Sequence, residues 1–212
     1  MATNQAIGQI DLTFTQRAAV ADFLSYFEGI EDDREPLRLA LVLAGEKPGT
    51  IVSTEPWERL AHSPIDFFDQ LELAHGRVAP SSSWYVARDP LRISYLPEKV
   101  HDRPEYHRRL GWFFGYPQAA IDHFIEQDLP DRTRPAEFVA AGRFSARELA
   151  FSQFVFHVPI DSVHGYERAI ERGKANRDRL LKLADRWELP ALEHQTETVY
   201  RSLVDRLHRA TR

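Results

Sequence analysis

The sequence predicts an α+β fold that is predominantly α-helical, a single domain over residues 1–212 with about eight helices and one small β-hairpin. Three observations carry this reading. Apolar residues recur at intervals of three and four along most of the chain, as they do on the buried faces of helices. Strict alternation of apolar and polar residues is confined to one stretch, residues 84–96. A chain of 212 residues that is 43% apolar and 28% charged, with no low-complexity tract, has the length and composition of one substantial core.

The elements follow in order. In TQRAAVADFLSYFEG, Thr15 is placed to cap a helix whose Val20, Phe23, Leu24 and Phe27 share one face, with Gly29 closing it. A second helix is expected over about residues 35–44, opened by acidic residues and stopped by Gly45, Pro48 and Gly49. SPIDFFDQLELAHG supplies a third, with Ser63 as N-cap, Pro64 in the first turn and Gly76 at its end. WYVARDPLRISYL reads as a β-hairpin turning at Asp89-Pro90, and Ser81-Ser82-Ser83 before it reads as a loop. From Pro104 the chain becomes helical again, with Tyr106, Leu110, Phe113 and Phe114 on one face. Gly115 is suited to a left-handed helix end, and Pro117 opens the next helix, with Ala120, Ile121, Phe124 and Ile125 as its apolar face. The Gly-Tyr-Pro in RLGWFFGYPQAAID is thus the corner of a helical hairpin that displays Tyr116, and Gly111 allows a close backbone approach. A short helix precedes another starting near Ser145, while FVFHV is compatible with a strand. The longest helix is expected over 161–187, and Pro190 separates it from a last helix that buries Tyr200, Leu203, Val204 and Leu207.

Composition excludes several function classes. The absence of cysteine removes disulfides, thiolate nucleophiles, zinc ribbons and cysteine-held clusters. The nine histidines show no HExxH or comparable spacing, and there is no P-loop, GxSxG or dinucleotide glycine pattern, so neither metal nor cofactor is expected. The N-terminal residues lack a basic start with an apolar h-region, and no apolar run is long enough to span a bilayer, so the expectation is a cytoplasmic protein without a membrane partner. Residues 1–80 hold thirteen acidic and six basic side chains, whereas residues 81–212 hold nineteen and twenty-one. The helical hairpin at 104–127 has helix–turn–helix spacing. Its second helix would however present Gln118, Asp122, His123 and Glu126 to phosphates, which disfavours nucleic acid.

Two segments attract functional interest. LGWFFGYPQAAIDHF at 110–124 and FHVPIDSVHGYERAIERGK at 156–174 resemble a little-characterised group of archaeal proteins of unknown function. That group carries Gly-Tyr-Pro followed by paired cysteines, and later a His-x-Pro-Cys segment with a further cysteine. At the cysteine positions this chain has Ala119, Ala120, Ile160 and His164, so the resemblance implies the fold and the spatial pairing of the two segments, and descent from a metal-binding ancestor without the metal. Pairing would gather Tyr116, His123, His157 and His164 near the start of a basic stripe. That stripe is formed by Arg168, Arg172, Arg179 and Arg186, which fall within an arc of roughly 40° on the long helix. A phenol, imidazoles and guanidinium groups together suit a small anionic or nucleotide-like ligand, with Tyr116, His123, His157, His164, Arg168 and Arg172 as its binding residues. The leading reading is a binding or accessory protein. One alternative is a hydrolase or transferase using His157 or His164 as general base. The other is an oligomeric scaffold, a homo-oligomer burying Trp112 and Trp187 at a subunit contact.

Overall fold

The computed structural model describes residues 11–30, 33–58, 60, 63–78, 83–96, 103–127 and 134–211. Among these, ten α-helices surround a three-stranded antiparallel sheet, an α+β arrangement dominated by helix. The helices are α1 (Phe14–Tyr26), α2 (Glu35–Leu43), α3 (Pro64–Gln70), α4 (Pro90–Ser94), α5 (Arg103–Phe114), α6 (Gln118–Glu126), α7 (Arg134–Ala140), α8 (Ala146–Ser152), α9 (Val163–Arg186) and α10 (Pro190–Ala210). The strands are β1 (Gly49–Ser53), β2 (Ala74–Val78) and β3 (Ser83–Ala87), in the order β1-β3-β2.

Local chemistry explains the boundaries. Thr13, rather than Thr15, caps α1 through a capping box with Gln16, and Ser145 does the same for α8 with Glu148. Ser63 caps α3 and Ser162 caps α9, each accepting a backbone N–H from the first turn. The expected hairpin across Asp89-Pro90 is corrected by the structure. Asp89 accepts the Leu91 N–H at 3.0 Å and Pro90 occupies the first turn, so the apparent second arm is α4. The partner strand instead lies upstream. The third helix stops at Gln70, and Ala74–Val78, with Gly76 inside it, pairs with β3 in the register His75↔Val86. Ser81 and Ser82 lie outside the described residues, as does the N-terminal stretch 1–10.

β3 is central and divides two cores. Trp84 and Val86 face the larger one, where Val52, Phe68, Phe23, Phe27, Leu180 and Trp187 are buried. Tyr85 and Ala87 face the smaller one with Phe113, against which Ile51, Ile93 and Leu110 pack. This is the two-residue period of a strand covered on both faces. Trp187, expected at a subunit contact, is 1% exposed and belongs to the main core. Trp112 is exposed and packs against the tilted Tyr95 ring and the Arg92 guanidinium.

The sheet and two helical turns set the geometry of the site. After α2 the chain folds back on itself, with the Glu46 and Lys47 N–H groups both donating to the Leu41 carbonyl. At the end of α5 the Tyr116 N–H donates to the Gly111 carbonyl at 2.9 Å while Gly115 takes a φ of +72°, the left-handed helix end that the Gly-Tyr-Pro corner requires. These two turns meet. A β-carbon on Gly115 would lie 2.5 Å from Pro48 Cδ, so only glycine lets the corner seat against Pro48.

Candidate functional site

The third wall is residues 153–157, between α8 and α9. It overlaps the FVFHV stretch at 154–158, whose start belongs to a 3₁₀ turn over Gln153–Val155 rather than to a strand. Arg34, the N-cap of α2, donates through Nη1 to the Gln153 carbonyl at 2.9 Å, and Asn176 Nδ2 of α9 donates to the adjacent Phe154 carbonyl at 2.8 Å, so two elements anchor the start of this segment. Phe156 is held at φ +62°, a left-handed conformation that a bulky residue adopts only where its surroundings fix it. The consequence is that His157 turns toward the Gly-Tyr-Pro corner. The Tyr116 and His157 rings lie with centroids 5.3 Å apart.

Between the three walls is a cavity of about 160 Å³, lined among others by Lys47, Phe114, Tyr116, Phe156, His157 and Arg172. Lys47 is 7% exposed. Its Nζ donates to the Phe114 carbonyl at 2.7 Å and lies 4.8 Å from the Tyr116 ring centroid, so it both caps the last turn of α5 and faces an aromatic ring. No carboxylate of the described residues comes within ion-pair distance of Lys47 or Arg172. The one carboxylate on the wall, Glu46, is engaged by Arg179 at 2.9 Å. Arg38, whose guanidinium sits 5.3 Å from the Phe156 ring centroid, has a buried Nε without a hydrogen-bond partner.

The electrostatics follow from burial beside like charges. Lys47 is pulled down to about 7, first by desolvation and then by the cations Arg38, Arg172 and Arg92. His157 is held at about 4, again mainly by burial, with Arg172 and Lys47 adding repulsion. Its Nδ1 lies 3.1 Å from the Val155 carbonyl, so the neutral ring carries its proton there and leaves Nε2 as an acceptor. Tyr116 is pushed up to about 12 by burial, which Arg38 and Arg34 partly offset, and it remains a phenol.

Of the six residues expected at the site, Tyr116, His157 and Arg172 line this cavity and the other three do not. His123 lines a separate crevice of about 10 Å³, which holds at most one water, beside Arg134 and Asp161. Its Nε2 accepts the Asp161 N–H at 3.2 Å and ties α6 to the start of α9. His164 is exposed and pairs with Glu167 at 3.2 Å, and Arg168 is exposed on the same helix. The basic stripe is therefore divided. Arg179 and Arg186 are paired with Glu46 and Asp11, which leaves Arg172 as the stripe's contribution to the cavity.

Sequence reasoning missed Lys47, Phe156 and Asn176. Only Lys47 left a signal: in a chain with 23 arginines and four lysines, a lysine in the GEKPG turn stands out. Among the described residues no three His, Asp or Glu side chains are grouped as a metal site, and no helix is long and apolar enough to cross a membrane. No protein-family model, curated protein or solved structure matches this chain, so the cavity's role has to be argued from its own chemistry.

Proposed function

We propose that the protein is a binding protein whose ligand is a small anion, held in the cavity between the Gly-Tyr-Pro corner, the Lys47 turn and the His157 segment. The observation that carries this reading is the charge imbalance of the wall, where Arg172 and Lys47 have no carboxylate partner among the described residues. Arg172 is solvent-exposed and Lys47 is buried, and a buried cation without a counter-charge is costly, so an anion seated beside Lys47 recovers that cost through charge-assisted hydrogen bonds. The aromatic rings of Phe114 and Phe156 supply apolar contact for the rest of the ligand, as in most small-molecule sites. Size favours a molecule of about six heavy atoms, since a cavity of ~150 Å³ accommodates benzene.

The hydrolase or transferase alternative has less support. Burial leaves His157 with a pKa of about 4, a weak base at neutral pH, and His164 is exposed beside Glu167 and away from the cavity. A thermal-shift series with phosphate, sulfate and two- to four-carbon carboxylates tests the proposal. At one hundred times its dissociation constant a ligand adds about 2.7 kcal/mol, enough to move the midpoint by several degrees. Arg172→Met should cut the shift by about half or more, since a tenfold weaker site retains about 1.4 of the 2.7 kcal/mol. A shift of equal size in the variant would place the ligand elsewhere.

A further inference from the structure

We infer that Lys47 is a carbonyl-condensing amine, and that the anion the cavity takes is a small 2-oxo acid whose carboxylate meets Arg172 while its keto carbon faces Lys47 Nζ. The inference rests on the anion-binding reading and goes beyond it in naming the ligand class and a covalent step. Three features of the wall point this way. Lys47 Nζ lines a cavity rather than a closed core, and its contacts are a carbonyl and two aromatic rings, with no carboxylate of the described residues to fix its charge. Cationic neighbours and desolvation together are the means by which a lysine becomes a nucleophile near neutral pH. Arg172, which lines the same cavity, supplies a planar guanidinium fork for a carboxylate.

The chemistry closes without any further reactant. The neutral amine adds to the keto carbon through its lone pair, giving a carbinolamine. The former carbonyl oxygen then leaves as water with the two amine hydrogens, and an imine joins Nζ to the ligand. No electron is gained or lost. Tyr116, kept as a phenol by burial, and His157, with Nε2 free to accept, are polar groups lining the same cavity.

Reductive trapping tests this. The full chain is incubated at pH 8 with pyruvate and sodium cyanoborohydride, and the adduct is read by intact mass and peptide mapping. The expected result is one adduct per chain, a mass gain of one pyruvic acid less an oxygen atom, located on Lys47. Its yield should exceed that on Lys174, whose amine is held protonated by Glu171, by about tenfold or more. Lactate, which has the carboxylate but no carbonyl, should slow the labelling by competition, and Lys47→Arg should lose the adduct. Labelling spread evenly over the lysines would overturn the inference. So would an unlabelled Lys47 in a protein that pyruvate still stabilises, and in that case the anion site would stand. If pyruvate, lactate and phosphate all fail to stabilise the protein and Lys47 is unlabelled, the anion-binding reading falls with it.

Discussion

Replacing Lys47 by methionine should reshape the pH dependence of stability, in a direction and by an amount that follow from its surroundings. In the unfolded chain this amine holds its proton up to about pH 10.5, whereas in the fold burial and the neighbouring arginines release it above about pH 7. Below pH 7 both states are protonated and Lys47 adds no slope. Between these values the unfolded state binds one proton more, so the free energy of unfolding rises with pH by about 1.4 kcal/mol per pH unit. Summed over the window, the buried ammonium costs the protein on the order of 5 kcal/mol at neutral pH, a large share of a typical domain's stability. Methionine keeps the apolar stem and removes the charge. Urea denaturation followed by circular dichroism at several pH values from 7 to 9.5 should show wild-type stability climbing relative to Lys47→Met, with the variant the more stable at pH 7. The upper limit avoids Tyr116, which burial holds protonated to about 12 and which therefore lowers stability once unfolded tyrosines ionise near pH 10. Parallel profiles for the two proteins, or a variant that is strongly destabilised at pH 7, would refute the picture of an uncompensated cation.

The acid side carries two opposing contributions. His157, down at about 4 in the fold, makes stability rise with pH between about 4 and 6.5, and His157→Asn should flatten that rise. Glu35, pushed up to about 7 by burial although it accepts the Ser53 N–H and hydroxyl, makes stability fall as pH rises from about 4.5 to 7, so Glu35→Gln should remove that fall. Gly115→Ala combines a left-handed φ with a β-carbon 2.5 Å from Pro48 Cδ and should cost about 2 kcal/mol, measurable as a lowered urea midpoint. Trp187→Ala should cost about 3–5 kcal/mol on the same assay, since the ring is 1% exposed in the main core, and light scattering should show no change of assembly attributable to its loss.

Helical elements were legible because their signals are local. The recurrence of Val20, Phe23, Leu24 and Phe27, the Ser63-Pro64 and Ser145 starts, and Pro190 each act within a turn or two of the chain. Gly115 was readable for the same reason, since a glycine after an apolar helical face and before Tyr-Pro has few other uses. The sheet was misread where local and nonlocal signals compete. β3 shows its alternation, but β2 just upstream carries no such alternation, β1 is chosen by pairing across the fold, and Asp89-Pro90 can start a helix as readily as a turn. Within the cavity, Tyr116 and His157 lie on segments that drew attention by themselves, whereas Lys47 matters only because Pro48 docks on Gly115 and carries the α2–β1 turn to the corner. His123 and His164 illustrate the converse. Sequence neighbourhood put them with the others, but the direction of α6 and the exposed face of α9 take them elsewhere.

Titration calorimetry at low ionic strength, with pyruvate and then phosphate added to the wild-type chain and to Arg172→Met, bears most directly on the unpaired cations of the cavity wall. Saturable one-to-one binding is expected for the wild type, weakened about tenfold or more in the variant, as loss of a charge-assisted hydrogen bond requires. Equal affinities in the two proteins, or no saturable heat in either, would contradict it.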